Sequence, residues 1–107
     1  MERFKETETL YLPVTALGEL LYGAHKSAFN MKSLTQIEEF LELCAILGVG
    51  ERTAHRYGRI SVELALLGKP IPQNDIWIAA VALEHNLPLA TRDRHFSVVP
   101  GLTVLNW

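Results

Sequence analysis

Three acidic residues far apart in the chain, Glu19, Asp75 and Asp93, each fall at the junction of two expected secondary-structure elements. Asp75 follows Asn74 where a Gly-Lys-Pro-Ile-Pro breaker gives way to an apolar helix, and Asp93 follows the short apolar run 87–90. Carboxylates drawn close together raise one another's proton affinity, so an empty acidic cluster is costly at neutral pH. A hard divalent cation reverses that balance. Oxygen donors suit Mg²⁺ or Mn²⁺, which keep several waters and hold phosphate oxygens. A cation held in this way orients or ionises a water and neutralises charge building up on a phosphodiester. Zinc is disfavoured, because no Cys/His pair has ligand spacing. Asn74 and Thr91 are placed to orient a carboxylate or a bound water, and Thr15 has the same role beside Glu19.

The elements that must position these groups alternate between strand and helix. Residues 10–14 (LYLPV) form a nearly continuous apolar run, the pattern of a strand covered on both faces. Thr15 is the expected N-cap of the helix that follows, whose stripe is Leu17, Leu20, Leu21 and Ala24. Glu19 lies off that stripe, in what should be the helix's first turn. A second helix is expected from Ser33, with Leu34, Ile37, Phe40, Leu41 and Cys44 on one face. A strand over 45–49 should follow, although Cys44 and Ala45 fit either element. A long helix from Glu51 to Leu67 should bury Ala54, Tyr57, Ile60 and Leu64 and end at Gly68. The next helix is apolar almost all round, including Trp77, and closes at Asn86 and Pro88. A strand at 87–90, a loop or short turn at 95–100 and a last strand at 102–105 complete the series. This alternation predicts an α/β fold with a parallel sheet flanked by helices. In such layers helix starts and strand ends meet on one edge, which is where ligands bind.

Bulk properties narrow the choices. At 107 residues the chain is expected to be a single domain. Hydrophobic residues make up 49% and charged ones 21%, as in an ordinary globular protein, and no apolar run nears the length of a membrane span. The charged start MERFKETE has no signal-peptide character, and one cysteine excludes an internal disulfide, so the cytoplasm is the expected compartment. Net charge −2 gives no global nucleic-acid footprint, so any nucleic acid must be met at a local site.

Four stretches resemble a known family: V-T-x-x-G-E-L-x-x-G-A at 14–24, I-P-x-N-D-x-x-I-A-A-x-A-L at 71–83, L-P-L-A-T-R-D-x-H-F at 87–96 and V-P-G-L at 99–102. Together they look like a PIN domain, in the branch of the VapC-like toxin ribonucleases. The resemblance implies a Mg²⁺-dependent endoribonuclease in which Glu19, Asp75 and Asp93 match three of the family's acidic residues and Thr91 a polar position beside them. It also implies RNA as substrate, a small antitoxin as partner and a homodimer.

One departure matters. The family opens with an apolar strand running into a metal-binding Asp, and that strand is central in its sheet. Nothing here matches it, since Glu2, Glu6 and Glu8 in the polar segment 1–8 follow no apolar run. The expectation is that the true start lies upstream, and that the chain as written binds metal weakly and cleaves poorly. The alternative is an inactive remnant that binds an antitoxin or dimerises.

Each residue also has a structural reading. An acid at a helix start complements the dipole, and one on an exposed face is simply solvated. His95, two residues beyond Asp93, is a candidate proton shuttle but would more often pack or cap. Arg92 and Arg94 flank Asp93 and are placed to meet RNA phosphate, whereas Arg52, Arg56 and Arg59 read as a solvated face with Glu63. Cys44 reads as a small core residue, and Trp107 as a cover for the sheet end or a partner surface.

Overall fold

The structure, a computed structural model, describes residues 10–106. The expectations for the segment 1–8 and for Trp107 therefore lie outside the described residues. The chain forms two compact units that part between Leu47 and Gly48.

The first unit runs β1 (Leu10–Pro13), α1 (Val14–Lys26), α2 (Asn30–Leu41) and β2 (Cys44–Leu47). β1 and β2 pair in parallel, with Leu10 opposite Cys44 and Pro13 opposite Leu47. Parallel neighbours need a long crossover, and the two helices supply it. Ala24 is buried on the expected α1 stripe, while Leu20 is largely exposed. Three expectations are corrected here. Thr15 is not a cap: the helix already starts at Val14 after Pro13, which has no side-chain acceptor to offer. α2 starts at Asn30 rather than Ser33, because the Ser27 hydroxyl accepts the Phe29 N–H and turns the chain earlier. β1 is not covered on both faces, since Tyr11 is half exposed.

The second unit runs α3 (Glu51–Leu67), α4 (Gln73–Glu84), β3 (Leu89–Thr91), a 3-10 turn (Arg94–Val98) and β4 (Val104–Asn106). β3 and β4 are parallel, with Leu89 opposite Val104. α4 is the centre of this unit: Ile76, Ile78, Ala79, Ala80, Val81 and Ala82 are all buried, as its all-round apolarity predicts. It packs on α3 through Ile60 and Leu64, and Tyr57 stacks on Trp77 with ring centroids 4.1 Å apart. Trp77 is therefore half-buried rather than wholly in the core.

On α3 the buried third-position residue is Thr53, not Ala54, which is exposed. The Thr53 hydroxyl accepts the Gly50 N–H at 3.0 Å and donates to Glu84 Oε1. It thus serves a helix start and ties α3 to the end of α4. Gly68 ends α3 in the left-handed conformation (φ 68°), and Asn86 does the same after α4 (φ 54°).

The α/β class with parallel pairing flanked by helices stands as expected. Its strands form two separate two-stranded sheets, β1 with β2 and β3 with β4.

Candidate metal centre

Asp75 sits in the first turn of α4, where its N–H donates to the Pro72 carbonyl at 3.0 Å. The adjoining Ile76 is buried, so the helix start is anchored and the carboxylate is carried into a site only 8% exposed. A carboxylate so placed needs a compensating partner. His95 Nδ1 supplies one, 3.1 Å from Asp75 Oδ2.

Asp93 arrives from the other side. β3 ends at Thr91, whose hydroxyl accepts the Asp93 N–H at 3.0 Å. The Asp93 carboxylate then caps the 3-10 turn by accepting the His95 N–H at 2.9 Å. Phe96 is buried against the core of this unit, so the turn is pinned one residue beyond His95. The imidazole is thereby held with Nδ1 3.2 Å from Asp93 Oδ1. A helix start and the turn after a strand end have been brought together.

One ligand atom each from Asp75, Asp93 and His95 lie within 4.8 Å of one another. Metal–ligand bonds run about 2.0–2.2 Å, so one divalent cation can bridge such a set. The donor chemistry fits: two carboxylates bring negative charge and an imidazole adds a neutral nitrogen. The 3-10 turn folds His95 back between the two acids, so a nitrogen stands beside the expected oxygen donors.

The remaining predicted residues are placed as follows. Glu19 is exposed on α1 in the first unit, a turn beyond the helix start rather than within its first turn, because α1 begins at Val14. It is not among the residues that the second unit gathers. The Thr91 hydroxyl accepts the Asp93 backbone N–H and makes no hydrogen bond to its carboxylate among the described residues. Asn74 is exposed and makes no side-chain hydrogen bond among the described residues. Thr15 Oγ1 is buried without a hydrogen-bond partner among the described residues. Arg92 and Arg94 are exposed on either side of Asp93. The residue underweighted by sequence reasoning is His95. The available signal was the Asp-x-His spacing at a turn, where the Asp can cap the backbone N–H of the His and bring its ring close.

Comparison with known proteins identifies the family. A family model described as PIN domain matches residues 1–102. The chain is 39% identical to ribonuclease VapC2 of Haemophilus influenzae, over 85% of this chain and 70% of the relative. It is 32% identical to the tRNA(fMet)-specific endonuclease VapC of Salmonella typhimurium, over 99% of this chain and 82% of that protein. Among solved structures, VapBC2 of Rickettsia felis, bound to a DNA fragment from its promoter, superposes with a TM-score of 0.89 at 29% identity, covering 95% of this chain and 77% of that one. With a family match over most of its length, and relatives of this identity and coverage, the chain belongs to the PIN-domain family, in its VapC ribonuclease branch.

Proposed function

We propose that this chain is a metal-dependent endoribonuclease of the VapC toxin type, folded as one PIN-like domain and acting on RNA phosphodiesters in the cytoplasm. The observation that carries the reading is the convergence of Asp75 and Asp93 from a helix start and a strand end. Mg²⁺ or Mn²⁺ is the cation assigned, and when bound it would supply charge neutralisation at the phosphate and a more acidic water. Asp75, fixed in a helix and little exposed, contributes a rigid carboxylate. Asp93, more open, faces solvent where substrate arrives, and Thr91 keeps its backbone in place. Arg92 and Arg94 offer positive charge to flanking phosphates. Glu19 is assigned to the same acidic set by its place in the motif at 14–24.

The names of the two ribonuclease relatives support RNA as the substrate class, and the VapBC2 structure supports a protein partner of the antitoxin kind. Exposed Tyr22, Phe29 and Met31 in the first unit, and Leu66 in the second, are suited to protein contacts, with an antitoxin or with a second copy of the chain.

The test is cleavage of RNA in Mg²⁺ or Mn²⁺ against the same reaction in a chelator, for the parent chain and for Asp75→Asn and Glu19→Gln. Cleavage, expected to be weak in the chain as written, should need the cation and vanish in Asp75→Asn. Activity that persists in the chelator, or survives intact in Asp75→Asn, refutes the mechanism.

A further inference from the structure

The position of His95 between the two carboxylates carries a consequence for which cation the site prefers. Its Nδ1 is 3.1 Å from Asp75 Oδ2 and 3.2 Å from Asp93 Oδ1. An imidazole nitrogen carries at most one hydrogen, which can point squarely at one acceptor only. Nδ1 is therefore within reach of both carboxylates, while one hydrogen serves only one of them at a time. The two nitrogen–oxygen distances are near those of adjacent donors on one divalent cation, and the three donor atoms lie within 4.8 Å of one another. Ligand bonds of about 2.1 Å at right angles put neighbouring donor atoms about 3.0 Å apart.

The surroundings hold the ring where it is. Asp93 caps the turn that carries His95, and buried Phe96 anchors the next residue. The side chain is 53% exposed, so a cation and its remaining waters can reach it from solvent.

The geometry points to His95 Nδ1 as a direct ligand, with Asp75 and Asp93, of a cation chosen for its tolerance of nitrogen: Mn²⁺ in preference to Mg²⁺. Magnesium is a hard ion that takes oxygen donors and releases water reluctantly. First-row divalent ions accept imidazole readily, so one nitrogen in the donor set shifts selectivity towards them. This inference rests on the metal-dependent reading above and adds the identity of a ligand and of the cation class.

Pulsed electron paramagnetic resonance of Mn²⁺ added to the full chain reads the ligand directly. A directly bound imidazole should give nitrogen coupling, and the coupling should disappear in His95→Ala. Calorimetric titrations should show Mn²⁺ affinity falling by roughly tenfold or more in His95→Ala, with Mg²⁺ affinity changed much less. Mn²⁺ bound through Asp75 without nitrogen coupling would overturn the assignment of His95 while leaving the metal-dependent reading intact. Failure of either cation to bind the parent chain, or binding undiminished in Asp75→Asn, would overturn both. The parent-chain spectrum decides the matter even if the variant folds poorly.

Discussion

Asp93 does two jobs that a single substitution can separate. Its side chain caps the 3-10 turn, and its charge belongs to the proposed cation site. Asparagine caps as well as aspartate but carries no charge. Asp93→Asn is therefore expected to keep the parent's circular dichroism and urea midpoint while losing cation binding by calorimetry. Asp93→Ala should lose binding and also about 1 kcal/mol of stability from the missing cap. Cys44 is a smaller case. It is half-buried with its thiol directed to the Phe40 carbonyl at 3.4 Å, and burial raises its pKa. Since the thiolate is the reactive form, alkylation near pH 8 should be slower in the folded chain than after unfolding in urea, as followed by mass spectrometry.

At the scale of elements, the second unit depends on how α3 meets α4. The Thr53 hydroxyl is fully buried and connects the Gly50 N–H with the Glu84 carboxylate. Thr53→Val keeps the shape but leaves both partners unsatisfied, at about 1–3 kcal/mol, read as a lower urea midpoint. The end of α3 gives a separate test. A Cβ on Gly68 would meet nothing within 4 Å, yet its φ of 68° disfavours any L-residue. Gly68→Ala should therefore cost about 1–2 kcal/mol from backbone strain alone. These elements were largely legible in advance: the span Glu51–Leu67 and its glycine stop follow from periodicity and capping rules. The substitution of Thr53 for Ala54 on the buried face was not. A helical wheel ranks residues by apolarity, whereas Thr53 is buried because its hydroxyl has two partners, one of them 31 residues away.

For the molecule as a whole, folding and metal binding should be linked. Asp75 and Asp93 converge only when α4 and the β3 turn are both in place. A cation that binds the folded chain alone stabilises it by about 2.7 kcal/mol at a hundred times its Kd. Mn²⁺ should therefore raise the thermal midpoint of the parent chain measurably, and the rise should be absent in Asp75→Asn. An equal rise in both proteins would show that the cation binds elsewhere.

The amino-acid sequence by itself determined the alternation of strands and helices, the nearly all-buried α4, and the placement of Asp75 and Asp93 at element boundaries. These depend on short-range periodicity and on residues that start or stop helices, and such information lies within a few positions of each residue. Tertiary structure alone decided what stands between the two acids. The direction of the His95 ring depends on a 3-10 turn capped by Asp93 and anchored by Phe96, and on a carboxylate 20 residues earlier in the chain. A donor set is a matter of distances between side chains from separate elements, and those distances exist only once the elements have packed.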